Sequence, residues 1–419
     1  MAKKESSHAE LVSASQIIDA PYELPEGWKW VQLGNVADCL DGFRKPINAT
    51  ERAKREGNIP YYGATGQVGW IDDFLTDEEL VLLGEDGAPF LDLMKDKAYI
   101  ISGKAWVNNH AHILRSKYGK IGNRYLLNYL NTLNYSGYVN GTTRLKLTQG
   151  EMLKIPFPLP STINEQQRIV NRIESMFTKL DEAKEKAQNV VDSFETRKAA
   201  ILHQAFTGNL TAKWRKENGV SDDSWEEKII GECCKLGSGG TPSKSHPEYY
   251  DNGDIPWLKT GEIDWNDIYE VEEKITQEGM KNSSAKIYPA ESVVIAMYGM
   301  GVTRGKAGIL KIPTTTNQAV CVLQPDTALF NRYLFYYFMR NYWTFREKAV
   351  GGNQLNYSAT MISKWTIDLP SLPEQHEIVS ILDNILEKEL TAKSAAEQVL
   401  EQIDLLKKSI LARAFRGEL

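Results

Sequence analysis

The chain states one pattern twice. Lys198, Ile201, Leu202, Ala205, Phe206, Gly208 and Leu210 recur 209 residues later as Lys407, Ile410, Leu411, Ala414, Phe415, Gly417 and Leu419. The offset holds without a gap back to Glu165-Gln166 and Glu374-Gln375. Upstream, at an offset of 210, Phe157-Pro158-Leu159-Pro160 corresponds to Ile367-Asp368-Leu369-Pro370, and Thr143-Arg144-Leu145 to Asn353-Gln354-Leu355. Gly57-Asn58-Ile59-Pro60-Tyr61 echoes Gly253-Asp254-Ile255-Pro256-Trp257, and Trp28…Leu33-Gly34 echoes Trp225…Ile230-Gly231. A period this long excludes a solenoid of short repeats and predicts two modules, ordered globular unit, helix, globular unit, helix. A pseudo-symmetric object of this kind suits a two-fold ligand such as a DNA duplex.

The helical parts carry a heptad seam. From about Asn164 to Ala205 its positions are Ile169, Ile173, Met176, Leu180, Ala183, Ala187, Val190, Phe194 and Ile201. In the second copy they are Ile378, Leu382, Ile385, Glu389, Ala392, Ala396, Val399, Ile403 and Ile410. Two positions depart: Arg197 stands where the second copy has Leu406, and Glu389 where the first has Leu180. Each helix is expected to run about 40 residues, roughly 60 Å. Prolines precede both (Pro156, Pro158, Pro160; Pro370, Pro373), and Gly208 and Gly417 follow them. The mid-seam alanines allow close approach. The expected arrangement is an intramolecular antiparallel coiled coil that holds two globular units at a fixed separation.

The globular parts, 23–160 and 216–370, are rich in short β-type runs: Leu80–Gly84, Tyr99–Gly103, Val293–Ala296 and Ala319–Leu323. Each then has an aromatic helix-like stretch, Tyr125–Leu133 and Tyr333–Tyr342. The fold class is therefore α+β, with two pseudo-symmetric mixed globular domains joined by two long α-helices. The division reads 1–22 tail, 23–160 first unit, 161–215 first helical spacer, 216–370 second unit and 371–419 second spacer.

Net charge is −6. Residues 23–160 are neutral, 161–215 carry +2, 216–370 carry −4 and 371–419 carry −3. This argues against nucleic-acid binding through an overall field, while leaving room for a local basic face. If DNA is the ligand, partners must supply part of the phosphate neutralisation. No apolar run approaches the roughly 18 residues of a membrane span, and no apolar signal core opens the chain. Cys39, Cys233, Cys234 and Cys321 have no metal spacing and are expected to be reduced, buried thiols in a cytoplasmic protein. Residues 1 to about 20 are polar and weakly patterned, a loose tail.

Polar and basic residues cluster in the loops. The first unit offers Arg44, Lys45, Lys104, Asn108, Asn109, His110, Thr143, Arg144 and Lys146. The second offers Ser238, Thr241, Ser243, Lys244, Lys259, Tyr298, Arg304, Lys306, Asn317, Gln318, Asn353 and Gln354. Arg and Lys suit guanine edges and Asn and Gln suit adenine edges. Lys, Ser and Thr suit phosphates. Asn109-His110 aligns with Asn317-Gln318, and Arg144 with Gln354. Different side chains at matched positions are what one scaffold reading two sequences requires.

Catalytic constellations are weak. Gly237–Lys244 lacks the spacing of a nucleotide phosphate loop. His110 and His112 have no third ligand at a motif spacing. Asn58-Ile59-Pro60-Tyr61 and Asp254-Ile255-Pro256-Trp257 approach the base-holding loop of amino-methyltransferases, but each has Ile at the second position, and a cofactor loop after a strand is missing. Asp267 with Glu272-Glu273-Lys274 has only the letters of a nuclease site.

The pattern resembles the DNA-specificity (S) subunit of Type I restriction-modification enzymes. Leu24–Gly34 resembles the start of one target-recognition domain; Gly240-Thr241-Pro242-Ser243, Gly253–Trp257 and Gly261-Glu262-Ile263 resemble a second. Glu165-Gln166-Gln167 and Pro373-Glu374-Gln375 resemble the entries to the family's helical spacers. Ala205–Leu210 and Ala414–Leu419 resemble their ends. The resemblance covers about 23–419. It implies a non-catalytic chain without a cofactor of its own, in which each recognition domain reads half of a split site in double-stranded DNA. The spacer would dock two modification (M) subunits, which bind S-adenosylmethionine and methylate adenine. Restriction (R) subunits would bring ATP and Mg. The first unit lacks the Gly-Thr-Pro-Ser motif, and Gln167-Arg168 replaces His376-Glu377 at the spacer entry. Two other readings compete, a fused methyltransferase-nuclease and an adaptor whose heads bind protein. S-adenosylmethionine binding by the chain alone would mark the first, and indifference of the M complex to DNA sequence the second.

Overall fold

A computed structural model describes residues 21–299, 301–347 and 356–419. Its contacts divide the chain into two units. Unit 1 is Met1–Asn189 with Ala396–Leu419, and unit 2 is Val190–Ala395.

Unit 1 carries β1 (Lys29–Gln32), β2 (Ala37–Cys39), β3 (Ile59–Gly63), β4 (Gly66–Ile71), β5 (Thr76–Asp77), β6 (Leu80–Gly84), β7 (Ala98–Ile101), β8 (Lys104–Val107), β9 (Ala111–Ser116), β10 (Val139–Asn140), β11 (Lys146–Leu147) and β12 (Pro156–Leu159). One sheet has the order β2-β9-β6-β7 and another β4-β3-β8-β5, while β1 pairs with β12 and β10 with β11. β3 and β8 run parallel. The aromatic-rich helix, α1, is Gly119–Leu130, so the stretch expected to reach Leu133 stops earlier. The reason is Asn131. Its Oδ1 accepts from the backbone NH groups of Lys97 (2.8 Å) and Ala98 (2.9 Å), which ties the helix end to β7. Tyr125 and Tyr129 of α1 meet Phe157 and Phe415 edge-on, with ring centres 5.0–5.6 Å apart. Such pairs add about 0.5–1.5 kcal/mol each beyond apolar burial. This is why Phe415 of the repeated helix end is buried.

A long helical segment follows the sheets of each unit. α2 (Ile163–Asp192) and α3 (Phe194–Ala205) replace the single helix expected from about 164 to 205. The break at Ser193 coincides with Arg197, whose guanidinium donates to Ser193 Oγ and to the Val190 carbonyl (3.2 Å).

After α4 (Ala212–Asn218), unit 2 carries β13 (Glu226–Ile229), β14 (Cys234–Ser238), β15 (Ile255–Leu258), β16 (Asn266–Ile268), β17 (Lys274–Ile275), β18 (Val293–Ala296), β19 (Ala307–Leu310), β20 (Thr315–Thr316), β21 (Val320–Pro325), α5 (Asn331–Glu347) and β22 (Thr366–Leu369). Its sheets have the orders β14-β21-β18-β19-β16 and β17-β15-β20, with β13 paired to β22. β15 and β20 run parallel, as β3 and β8 do in unit 1. The Gly-x-Ile-Pro-aromatic echo has a steric cause. A Cβ on Gly57 would lie 2.2 Å from the Ile71 carbonyl oxygen of β4, and one on Gly253 would lie 2.8 Å from the Ile275 carbonyl carbon of β17. Only glycine lets the paired strand approach.

The second long helix, α6, is Leu372–Ala414. Pro373 stands in its first turn, where a missing NH costs nothing, rather than before it. Gly208 and Gly417 both have φ +74, the left-handed stop expected after each helix. Within unit 1, α6 runs opposite to α2: Lys407 Nζ lies 2.5 Å from Asp181, and Lys184 Nζ 3.5 Å from Asp404. Within unit 2, Arg197 Nε lies 2.7 Å from Glu389. The two polar departures from the heptad seam therefore meet each other. Val399, an expected seam residue, is 41% exposed, and Ala392 is exposed as well. The cysteines are free; Cys39 is only half-buried, unlike the other three.

Candidate nucleic-acid interface

In unit 1 the parallel pair of β3 and β8 sets the site. Asn108 follows β8; its NH donates to the Tyr62 carbonyl (3.1 Å) and its Oδ1 accepts from the His110 NH (2.8 Å). This Asx turn swings the chain into β9 and leaves Asn109 exposed, with His110 half-exposed beside it. The Glu85 NH donates to the His110 carbonyl (2.8 Å) and the Gly87 NH to the Leu145 carbonyl (3.2 Å). Those bonds bring the turn after β6 and the β10–β11 loop to the same place. Asp86 Oδ1 then lies 2.6 Å from His110 Nδ1 and 2.9 Å from Arg144 Nη2. The result is a cleft of about 480 Å³, lined among others by Arg52, Tyr61, Asp86, Asn108, His110 and Arg144. Asp86 and Arg52 were not among the residues expected. The signals for them were a Glu-Asp-Gly turn after an apolar run and the Asn48-x-x-Glu51 start of a short helix.

The other expected residues of unit 1 take different places. Arg44 turns inward to Asp41 (3.0 Å), to the Ala111 carbonyl (3.1 Å) and to Glu85. Lys146 Nζ pairs with Glu85 (3.1 Å). Lys45 is exposed, its Nζ 5.9 Å from the ring centre of Trp106. Thr143 is exposed on the β10–β11 loop. Lys104 begins β8, the end remote from the turn, and lies over Phe74 at 4.6 Å. Asp41, Glu85 and His112 bring a ligand atom each within 4.8 Å of one another, but Arg44 already occupies both carboxylates. His112 is fully buried, with Nδ1 2.6 Å from Asp41 and Nε2 2.9 Å from the Leu147 carbonyl. Burial alone would push the Asp41 carboxyl up. The hydrogen bonds from His112 and the Ile113 NH, with the charge of Arg44, outweigh burial and hold it below the usual carboxylate range. The cluster is an internal ion network.

Unit 2 repeats the turn. The Asn317 NH donates to the Leu258 carbonyl (3.0 Å) and Asn317 Oδ1 accepts from the Ala319 NH (3.1 Å). Asn317 therefore corresponds to Asn108, not to Asn109, and Gln318 to Asn109. The alignment shifts by one because the side-chain oxygen must accept from the residue two ahead. The Gly240 NH donates to the Thr316 carbonyl (2.9 Å) just as the Lys45 NH donates to that of Val107 (3.3 Å). Lys45-Pro46 thus stands where Gly240-Thr241 does, which locates the first unit's counterpart of the Gly-Thr-Pro-Ser motif. Thr241 Oγ1 bonds to Gln318, Ser243 Oγ lies 2.7 Å from Ser245 Oγ, and Lys244 is exposed beside them. Tyr298, 38% exposed, follows the Met297 NH that donates to the Ala319 carbonyl (2.8 Å). It occupies the turn that Asp86 occupies in unit 1. Lys259, next to Leu258, pairs with Glu273 (2.7 Å).

Lys306 pairs with Asp264 (2.5 Å), and Arg304 lies half-buried, its guanidinium 5.8 Å from the ring centre of Tyr357. Ser238 is half-buried on β14. Asn353 and Gln354 lie outside the described residues. The structure thus gathers Asn108, Asn109, His110 and Arg144 in one unit, and Thr241, Lys259, Tyr298, Asn317 and Gln318 in the other. Among the described residues, no helix is long and apolar enough to cross a membrane.

The Type I restriction modification DNA specificity domain matches at residues 25–192 and again at 222–402. A putative type I restriction enzyme specificity subunit of Haemophilus influenzae is 28% identical over 366 residues, covering 85% of this chain and 86% of the relative. The EcoR124I/EcoR124II specificity subunit of Escherichia coli is 25% identical over 295 residues, 68% of each chain. The crystal structure of the HsdS subunit from Thermoanaerobacter tengcongensis shares the fold, with a TM-score of 0.65 at 18% identity, covering 96% of this chain and all of that one. With the domain present twice, the chain belongs to the Type I restriction-modification specificity family, whose work is DNA sequence recognition.

Proposed function

We propose that each unit reads one half of a bipartite site in double-stranded DNA and that the long helices form an antiparallel coiled coil which sets the gap. The observation that carries this reading is the repeated Asx turn. Asn108 and Asn317 hold the same backbone bonds in the two units, yet the residues beside them differ: Asn109 and Asp86 in one, Gln318 and Tyr298 in the other. One frame with different donors and acceptors is what two different half-sites demand.

The chain itself is non-catalytic in this reading and holds no cofactor. Two M subunits dock on the spacer, bind S-adenosylmethionine and methylate adenine at N6; R subunits add ATP- and Mg-dependent restriction, all in the cytoplasm. Exposed apolar positions along α6 support docking: Leu390 (58%), Val399 (41%), Leu405 (58%) and Leu406 (47%). Partners also supply the phosphate neutralisation that a chain of net charge −6 lacks. The division into 1–22, 23–160, 161–215, 216–370 and 371–419 belongs to the same reading. The test is to co-express the chain with its methyltransferase subunit and sequence the host DNA for N6-methyladenine. Two short blocks around a constant gap are expected. One continuous short site, or none, would overturn the reading.

A further inference from the structure

We propose that Arg52 reads a guanine in the half-site faced by unit 1. This rests on the reading of that unit as a DNA reader. Arg52 ends the short helix Ala49–Arg52, whose start is capped by Asn48 Oδ1 accepting from the Glu51 NH (2.8 Å). Its guanidinium carbon lies 4.7 Å from the ring centre of Tyr61. That ring is fixed: Tyr61 is 1% exposed, and its hydroxyl meets the Ile47 carbonyl (3.2 Å) and NH (3.3 Å). On the other side Gly69 of β4 leaves room, since a Cβ there would sit 3.4 Å from Arg52 Nε. The guanidinium is thus held between a buried ring and a bare backbone, at the wall of the cleft that also contains Asn108, His110 and Arg144.

Its neighbours have their acceptors. Arg44 binds Asp41 and Glu85, Arg55 binds Asp72 (2.6 Å) and Arg144 binds Asp86 (2.9 Å). The Arg52 guanidinium has no hydrogen bond or ion pair among the described residues, although the residue is half-buried. A guanidinium carries five donors and no acceptor, so a stacked fork of unmet donors calls for a ligand rich in acceptors. Guanine O6 and N7 match it bidentately, and the stack lowers the ordering cost on binding. A phosphate oxygen offers the same acceptor chemistry. The concave setting among amide and imidazole side chains favours a base edge. In unit 2 the corresponding aromatic, Trp257, is met edge-on by Tyr250 at 5.9 Å, so the reader belongs to one half-site only.

The experiment maps N6-methyladenine for the full complex with wild-type chain, Arg52→Ala and Arg52→Lys, with melting curves for each. A wild-type map without a split motif would defeat the DNA-reading proposal itself, before Arg52 is judged. Given a wild-type split motif, Arg52→Ala should make one guanine position of one half accept other bases, a loss of discrimination of roughly tenfold or more. Arg52→Lys should relax the same position, and the other half and the gap should stay. Three results would overturn the assignment. The motif could be unchanged in both variants. Methylation could fall equally at all sites in Arg52→Ala and return in Arg52→Lys, which would mark a phosphate contact. Both variants could lose methylation together with a lowered melting temperature, which would mark a structural residue.

Discussion

Unit 1 keeps its cleft open, and unit 2 builds over the same ground. After β3 the first unit turns back at Ala64-Thr65 into β4, leaving the cleft beside Asn108. After β15 the second unit runs from Lys259 to Glu273 before reaching β17, and lays β16 along β19 on the way. That excursion gives the larger sheet of unit 2 a fifth strand where unit 1 has four. It also supplies Glu273 and Asp264, which pair with Lys259 and Lys306. The shared frame is the parallel strand pair and its Asx turn. What varies is the chain length hung between the framed strands, and with it the charge offered to a ligand.

The two units also differ at their spacer entries. Glu374 is fully buried, bonded to Arg215 (2.8 Å) and Thr211 (2.7 Å), whereas its counterpart Glu165 makes an exposed pair with Arg168 three residues on. Glu374→Ala should therefore cost unit 2 about 3 kcal/mol, because it removes the buried partner of Arg215 and leaves that guanidinium only the exposed Asp222 (3.0 Å) as a counter-charge. Glu165→Ala should cost unit 1 about 0.5 kcal/mol. Urea unfolding with strand-resolved hydrogen exchange reads both, and equal costs would refute the asymmetry.

The next residue gives a smaller contrast. The Gln375 amide bonds to the Phe330 NH (2.7 Å) and to the carbonyls of Ala328 and Pro370 (2.9 Å each). Gln166, 1% exposed, finds no partner for either amide atom among the described residues. The loop before α5 reaches Gln375, and its unit 1 counterpart at Lys117-Tyr118 is shorter. Gln375→Leu should destabilise by about 2 kcal/mol, and Gln166→Leu should stay within about 0.5 kcal/mol of wild type. The same unfolding assay decides it.

The smallest effect is acid sensitivity. Asp41 is held below the usual carboxylate range in unit 1, while the strand position of its partner His112 is taken in unit 2 by Cys321. A lowered folded value means the contribution is complete above the unfolded value and is lost as pH falls through the folded one. Unit 1 should thus lose roughly 1 kcal/mol on acidification through that range. Asp41→Asn should flatten its pH profile and leave that of unit 2 unchanged.

Much of this was legible because duplication doubles weak signals. The helix ends at Gly208 and Gly417, the β runs and the Asn-bearing turn all announced themselves by recurring. Arg52 and Asp86 did not, because neither recurs: Tyr298 takes the place of Asp86, and Tyr250 meets the aromatic ring that matches the one under Arg52. The one-residue shift between Asn108 and Asn317 was hidden for a related reason. Asn108-Asn109 offers two identical letters, and only the bond to the residue two ahead tells them apart. The inward turn of Arg44 was equally silent, since nothing local marks Glu85 as its acceptor. The meeting of Arg197 with Glu389 joins two departures that looked independent along the chain.

The central claim is that two separate readers are spaced by the helices. Its most direct test is to delete one heptad from each, residues 183–189 and 399–405, and map N6-methyladenine with the full complex. Seven residues of helix span about 10 Å, or about three base pairs at 3.4 Å. The account predicts unchanged half-sites around a gap about three base pairs shorter. Altered half-sites, or an unchanged gap, would contradict it.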